Sequence, residues 1–243
     1  MLKLAGDTHT HTIACQHAYS TVLENAAYAK KLGHRFLALT DHGPQMAGCV
    51  HSWYFMNLPK FVPRELDGVV LLRGCEANIL ENGTLDLPEA ALANLDWVIA
   101  SMHRGLTPQE LSEAEYTAYW LKIAENPYID CIGHLGNSIY RCDYPAVIEA
   151  VAAHGKVVEI NSSSPISRPG CEEACHQIIR LCKEYGVPLV LSSDAHFATG
   201  IGNVAWASQA VLEEDYPTEN ILNLDYRRMA DWLQAKKGLL LPD

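Results

Sequence analysis

The sequence predicts an α/β protein in which strands and helices alternate along a single domain. Seven short apolar runs are spaced along the 243 residues, and most are continuously apolar rather than alternating. Continuous apolar runs are typical of strands that are buried on both faces of a parallel sheet. Helix-like segments lie between these runs, and regular alternation of this kind is typical of a β/α barrel, which we favour over an open sheet.

The seven predicted strands follow the apolar runs in chain order. They lie at residues 2–5, 35–40, 69–74, 97–102, 129–133, 156–160 and 189–192. The helix predictions depend on capping residues, such as Ser20 before and Gly33 after the first helix. The predicted helices lie at residues 21–32, 88–95, 108–125, 144–154, 171–185, 204–212 and 225–237. We find no repeat or linker, so we expect one domain over residues 1–243.

The composition narrows the classes of protein and partner. Hydrophobic residues make up 49% of the chain, enough for a sizeable core, and the net charge is −11. We do not expect nucleic acid as a partner, because an acidic chain lacks the basic surface that binds phosphates. We find no signal peptide and no membrane-spanning stretch, so we expect a cytoplasmic protein with reduced cysteines. Whether its copies form a homo-oligomer is left open.

The longest irregular stretch covers residues 43–59 and contains Met46, Trp53, Tyr54 and Phe55. A loop of this length in a compact domain is often functional. We keep two interpretations of it. Either its aromatic side chains anchor a surface loop on the barrel, or the loop forms a wall of the substrate pocket. His51, in the same stretch, is a weaker candidate for a role at the site.

Residues that bind metals recur where the predicted strands end. His9 and His11 follow the first strand, and Asp194 and His196 follow the last. Side chains two residues apart on a strand point to the same face, so each pair can present two ligands to one ion. In a β/α barrel the C-terminal ends of all strands meet on one face, where active sites form. The residues placed in this way are His9, His11, His17, His42, Glu76, His103, His134, Asp194 and His196.

These residue types and their number indicate a cluster of divalent ions. Imidazole and carboxylate without thiolate suit zinc, manganese or iron(II). Nine ligands exceed what one tetrahedral ion takes, so we expect two or three ions. Clustered ions suit hydrolysis of a phosphate ester, because they bind phosphate oxygens and lower the pKa of bound water to about 7. Asp7 and Asp41, beside these ligands, either orient ligand imidazoles or serve as structural caps.

Five motifs occur in a fixed order along the chain. They are Asp-Thr-His-Thr-His at 7–11, Thr-Asp-His-Gly at 40–43, Gly-Cys-Glu-Ala-Asn at 74–78, Gly-His-Leu-Gly-Asn at 133–137 and Ser-Asp-Ala-His at 193–196. Together they resemble the motifs of the PHP (polymerase and histidinol phosphatase) superfamily, and within it the YcdX-type phosphatases. The likeness spans nearly the whole chain. It implies a distorted (β/α)7 barrel, a trinuclear metal site usually described with zinc, and phosphatase or phosphoesterase activity.

The resemblance also implies how the ligands divide among three ions, with Glu76 shared by the first two. The implied sets are His9, His11, Glu76 and Asp194 for the first ion, Glu76, His103 and His134 for the second, and His17, His42 and His196 for the third. Arg168 matches a basic position of the family, and a guanidinium can bind phosphate through two parallel hydrogen bonds. Arg104 and Arg141 are weaker candidates for this phosphate contact.

We therefore predict a metal-dependent phosphatase that acts on a small phosphorylated substrate. In the expected mechanism, a hydroxide that bridges the first two ions attacks the phosphorus of a monoester. Glu76 and Asp194 hold the ions and Arg168 binds the phosphate. Zinc is the expected metal, with manganese or iron as alternatives, and the leaving-group acid is unassigned.

Three other functions stay open at this point. The first is a PHP-type phosphodiesterase or nuclease, against which the acidic charge argues. The second is a histidinol-phosphate phosphatase, a branch that tends to be longer and richer in basic residues. The third is a non-catalytic module that keeps its metals for stability, although such a module would be expected to have lost ligands.

Overall fold

The computed structural model describes residues 2–242, and this part of the chain contains eight strands. They are β1 (Gly6–Asp7), β2 (Phe36–Leu39), β3 (Glu65–Leu66), β4 (Val69–Asn78), β5 (Trp97–Ser101), β6 (Cys131–Ile132), β7 (Val157–Asn161) and β8 (Leu189–Ser192). Seven of the strands are parallel, in the order β1-β2-β4-β5-β6-β7-β8. The short strand β3 pairs antiparallel with β4.

The parallel sheet curls until its first and last strands nearly meet. Beyond β1 and β8, Thr10 and Ala195 form a parallel bridge. The backbone N–H of His11 donates to the carbonyl of Ala195 at 2.9 Å. The predicted distorted (β/α)7 barrel in a single domain is therefore confirmed, because consecutive strands lie side by side around an almost closed ring.

Helices connect the strands and cover the outside of the barrel. The α-helices are α1 (Val22–Leu32), α2 (Ser52–Phe61), α3 (Glu89–Leu92), α4 (Glu113–Glu125), α5 (Tyr144–Ala153), α6 (Ser164–Ser167), α7 (Glu172–Tyr185), α8 (Ala205–Glu213) and α9 (Tyr226–Lys237). Short 3-10 turns lie at Glu81–Gly83, Ala198–Gly200, Thr218–Asn220 and Leu222–Leu224. Within residues 2–242, we see no helix with the length and apolar character that crossing a membrane requires.

The first strand begins later than the sequence predicts. Ladder pairing starts at Gly6, which lies opposite Phe36, whereas residues 2–5 lead into the strand. A side chain at Gly6 would come within 2.4 Å of the Phe36 carbonyl oxygen, so the close approach of β1 to β2 requires glycine here. The apolar run instead packs inward, where Leu4 is buried in the core.

The start of α1 also differs from the prediction. Thr21, not Ser20, is the N-cap: its hydroxyl accepts the N–H of Glu24, and the Glu24 carboxylate accepts the N–H of Thr21. This reciprocal capping box satisfies two backbone donors at once. Ser20 instead accepts the N–H of Ala198. The predicted C-cap is correct, since Gly33 has a left-handed φ of 78°.

Half of the irregular stretch at 43–59 is helical. Helix α2 contains Pro59, a residue that normally argues against a helix because it lacks an N–H donor. Phe55 is fully buried and Trp53 is 69% exposed. His51 caps this helix, where its ring accepts the N–H of Trp53, and does not join the metal-type residues.

The barrel interior is apolar at one end. Inward-facing residues of successive strands, such as Phe36, Leu72 and Trp97, form one cluster. Met229 and Leu233 of α9 belong to the same cluster and cover this end. The other end, where the parallel strands have their C-termini, is left for polar side chains.

Candidate metal centre

The inner face of the barrel changes from apolar to polar along each strand. Because side chains two apart share a face, Leu72 on β4 is followed on the same face by Glu76, and Val157 on β7 is followed by Glu159. Leu72 and Val157 belong to the apolar interior cluster, whereas Glu76 and Glu159 are buried carboxylates. The local strand pattern thus places charged groups at the C-terminal end of the barrel.

The structure brings together His9, His11, Glu76 and Asp194, the set that the family resemblance implies for the first ion. The Nε2 atoms of His9 and His11 lie 3.1 Å apart. His9 Nε2 is 3.3 Å from Glu76 Oε2, and His11 Nε2 is 3.1 Å from Asp194 Oδ1. The remaining imidazole–carboxylate distances in this group are 3.6 and 3.7 Å. Four potential ligand atoms from three strand ends therefore face one small volume.

These distances can be tested against the size of a zinc site. Ligands held at about 2.0–2.1 Å in a tetrahedron are separated by about 3.3–3.4 Å along its edges. The five distances in this group, from 3.1 to 3.7 Å, bracket that value. The group therefore fits one tetrahedral ion.

Glu76 also faces a second pair of imidazoles with its other oxygen. Its Oε1 atom lies 3.0 Å from His134 Nε2 and 3.3 Å from His103 Nε2. The Oε2 atom belongs to the first group, so the two oxygens of one carboxylate are directed at different sets of nitrogens. A carboxylate placed in this way can bridge two ions.

His17, His42 and His196 form a third group at the mouth of the site. The His17 ring centroid lies 5.1 Å from that of His42 and 4.9 Å from that of His196. Potential ligand atoms of His11, His42 and His196 all lie within 4.8 Å of one another. The first two groups are buried except for the partly buried His103, whereas His17 is exposed.

Several buried atoms of the cluster have no hydrogen-bonding partner among residues 2–242. They include Glu76 Oε2, His42 Nδ1 and His103 Nε2. His42 Nδ1 and Glu76 Oε2 are only 2.7 Å apart, yet they are not aligned for a hydrogen bond. Unsatisfied buried polar atoms are costly, so lone pairs that converge without hydrogen bonds indicate that the donor set is built for cations.

The electrostatics of the cluster suit metal ligation. Burial lowers the pKa of His103 to about 4 and that of His11 well below its ordinary value, so both rings are neutral near pH 7. Burial alone would raise the pKa of Glu76, but the neighbouring His9 imidazole holds it well below the usual range. Against the effect of burial, the facing carboxylates raise the pKa values of His9 and His42. Divalent ions bind neutral imidazoles and ionised carboxylates, so metal binding would release protons from these two rings.

Two residues to which the sequence motifs assigned no role orient these imidazoles. Glu159 Oε1 lies 2.6 Å from His9 Nδ1, and Asn78 Oδ1 lies 2.8 Å from His103 Nδ1. Partners of this kind fix the ring tautomer and direct the opposite nitrogen to a metal. A sequence signal was present for Glu159, since it is a charged residue inside an apolar strand.

Asp7 and Asp41 serve as structural caps, which is the second of the two roles considered for them. Asp7 accepts hydrogen bonds from the Ser193 hydroxyl and the Gly202 N–H. Asp41 accepts from the N–H and hydroxyl of Thr12 and from the hydroxyl of Tyr54. These bonds tie together the loops that carry the histidines.

Two of the predicted ligands have strained backbone conformations. The φ angles are 28° at His134 and 54° at Asp194, in the left-handed region that non-glycine residues avoid. Such conformations cost on the order of 1–3 kcal/mol and concentrate at functional sites. Each occurs two residues after the end of a strand, in the loops at the C-terminal end of the barrel.

A cavity of about 440 Å³ opens over the cluster. Met46, Arg104 and Arg168 line it together with His17 and other residues of the cluster. Arg168 Nη2 lies 3.3 Å from Asp194 Oδ2, so its guanidinium is held at the edge of the predicted metal site. Arg141 lines a separate cavity. Residues 43–59 therefore contribute one wall residue, Met46, in addition to their packed aromatics.

Comparison with known proteins places the chain in a family. The sequence-family model of the PHP domain matches residues 7–163, and that of the PHP-associated domain matches residues 172–215. Proteins named as probable phosphatases from Thermoanaerobacter sp. (strain X514) and Clostridium novyi (strain NT) are 43% and 42% identical, over 97% and 98% of both chains. The solved histidinol phosphate phosphatase of Lactococcus lactis, complexed with zinc, L-histidinol and phosphate, has the same fold: the TM-score is 0.62 at 17% identity, over 89% of this chain and 95% of that one. The chain belongs to the PHP family.

Proposed function

We propose that this protein is a phosphatase that hydrolyses phosphate monoesters at a site for three divalent ions. The observation that carries the proposal is the position of Glu76, whose two carboxylate oxygens face two different sets of imidazoles at 2.7–3.3 Å. Relatives named as probable phosphatases, aligned over nearly their whole length, support the same class of reaction.

The three groups described above would each hold one ion. The proposed ligands are His9, His11, Glu76 and Asp194 for the first ion, Glu76, His103 and His134 for the second, and His17, His42 and His196 for the third. Zinc is our first choice, because the distances in the first group match a tetrahedral site. Manganese or iron would suit the same mixture of imidazole and carboxylate.

When bound, the ions would supply an activated water and neutralise the charge that develops on the phosphate. The protein contributes the geometry. Glu159 and Asn78 fix the rings of His9 and His103, so that their Nε2 atoms stay directed at the centre. Asp194, with its two oxygens facing His11 and Arg168, connects the metal ligands to the phosphate-binding side.

Arg168 is the proposed phosphate contact. Its side chain is 13% exposed and lines the cavity, and its Nη1 donates to the hydroxyl of Ser167. The guanidinium is thus held in place and still has donors free to face a ligand in the cavity. A planar guanidinium can give two parallel hydrogen bonds to phosphate oxygens. Arg104 lies on the same cavity and is the second candidate.

The test combines metal analysis with turnover. Protein purified without chelator should contain close to three divalent ions per chain, as measured by elemental mass spectrometry. It should hydrolyse p-nitrophenyl phosphate much faster than bis(p-nitrophenyl) phosphate. A content of zero or one ion, or faster turnover of the diester than of the monoester, would contradict the proposal.

A further inference from the structure

Two loops beside the metal centre each carry a cysteine, and the two cysteines meet. Cys15 lies between β1 and α1, and Cys49 lies between β2 and α2. The backbone N–H of Gln16 donates to the carbonyl of Gly48 at 3.0 Å, so the loops are joined next to the cysteines. The two Sγ atoms are 2.6 Å apart, and both residues are free thiols.

The surroundings of the pair differ from those of an ordinary core cysteine. Cys15 is fully buried, whereas Cys49 is half-buried, so a small oxidant can reach the pair from the Cys49 side. The Cys15 Sγ atom lies within 4.8 Å of ligand atoms of His11 and Asp41. The loop of Cys15 continues to His17, and the loop of Cys49 contains Met46, which lines the same cavity as His17.

We propose that Cys15 and Cys49 are a modification site, where a peroxide forms a reversible disulfide that joins the two loops at the mouth of the site. The Sγ atoms need to approach by only about 0.5 Å to reach the disulfide bond length of about 2.05 Å. The pair links positions 34 residues apart in sequence, so the bond would restrain two separate loops and not a local turn.

The chemistry balances with peroxide as the oxidant. The Cys49 sulfur attacks one peroxide oxygen, the O–O bond breaks, and a sulfenic acid and one water form. The Cys15 sulfur then attacks the Cys49 sulfur, the S–S bond forms, the S–O bond breaks, and a second water leaves. The two sulfurs together lose two electrons to the peroxide oxygens, and the two thiol protons end in the two waters. A small dithiol reverses the step by thiol–disulfide exchange.

The disulfide should also slow the loss of metal, a consequence that rests on the proposed function. His17 is two residues after Cys15, and it is the exposed member of the third group. Movement of its loop away from His42 would open that group. With Cys15 tied to the loop after β2, the oxidised protein should lose metal to EDTA at least several-fold more slowly than the reduced protein.

The experiment uses the full-length protein and three variants, each incubated with zinc and analysed for bound metal before and after oxidation. Cys49→Ala removes the pair, Cys49→Ser removes it while keeping a small polar partner for Cys15, and Cys142→Ala is the control, a buried cysteine that lines a different cavity. Each protein is reduced, treated with equimolar hydrogen peroxide, alkylated and digested with trypsin. The expected product in the wild type and the control is peptide 4–30 joined to peptide 36–60, about 2 Da lighter than the sum of the two and separated again by dithiothreitol.

The thermal midpoint provides a second readout. Closing a loop of this length should raise the Tm of the wild type and the control by about 8 °C, and should leave both Cys49 variants unchanged. Sulfinic acid at Cys49 without the joined peptides, or an equal Tm rise in the Cys49 variants, would overturn the proposal. Joined peptides in a protein that binds no metal in either state would support the modification site and overturn the proposed function.

Discussion

The substitution Glu76→Gln separates a shared metal ligand from a merely buried polar residue. It keeps the size and shape of the side chain but removes its negative charge. Glu76 is fully buried, and its oxygens lie 2.7–3.3 Å from imidazole nitrogens of His9, His42, His103 and His134. The glutamine amide would replace one carboxylate oxygen with an NH2 group, which cannot act as a metal ligand beside the imidazole nitrogens.

The expected loss of turnover is large because Glu76 is the proposed ligand of two ions. Loss of a residue that only supports a ligand typically lowers metal affinity or activity by 10–100-fold. Glu76 is itself the proposed ligand and serves two ions, so each should be affected by at least that factor. We expect kcat for p-nitrophenyl phosphate to fall by about 10³–10⁴-fold, or about 4–5.5 kcal/mol of barrier.

The assay measures metal content and turnover on the same preparation. Glu149→Gln, on the exposed face of α5, is the matched control and should behave as the wild type. Circular dichroism should show that the Glu76→Gln barrel is folded. A folded Glu76→Gln protein that holds the wild-type number of ions and has wild-type turnover would refute the bridging role and, with it, the proposed mechanism.

Further substitutions probe the surroundings of the proposed metal centre and one buried lysine outside it. Glu159→Gln should weaken zinc affinity by about 10–100-fold, measured by competition with a fluorescent chelator, because the ring of His9 loses its anchor. Arg168→Ala should raise KM for the phosphate monoester by about 10-fold with metal content unchanged, as steady-state kinetics and metal analysis would show. Burial lowers the pKa of Lys156 from 10.5 to about 8. Since the unfolded chain then binds more protons above pH 8, the Tm should rise between about pH 8 and pH 10, and Lys156→Met should abolish this trend.

The sequence was informative about the site because parallel strands converge. His9 and Asp194 are far apart in the chain, yet each follows an apolar run, and strand ends in a barrel share one face. The fold class followed from the same runs. The nine proposed ligands could therefore be placed on one face before any distance was known, whereas their division among three ions came from the resemblance to the PHP superfamily.

Other features depend on packing that no local pattern records. Helix α2 was missed because Pro59 lies inside it, and the burial of Phe55 supports the helix in spite of the proline. Residues 2–5 are as apolar as a strand, but the ladder starts only where the backbone of Gly6 can approach Phe36. The approach of Cys15 to Cys49 depends on two loops after different strands.

Glu159 shows why the surroundings of a metal site are harder to predict than its ligands. It lies within β7 and not at its end, so the rule that identified the ligands passed over it. Its Oε1 atom faces His9 Nδ1 at 2.6 Å, and its Oε2 atom accepts the backbone N–H of His134 at 2.8 Å. One carboxylate thus holds a proposed ligand of the first ion and the strained backbone of a proposed ligand of the second. Glu159→Gln should therefore lower the occupancy of both ions together, whereas His134→Ala should chiefly affect the second.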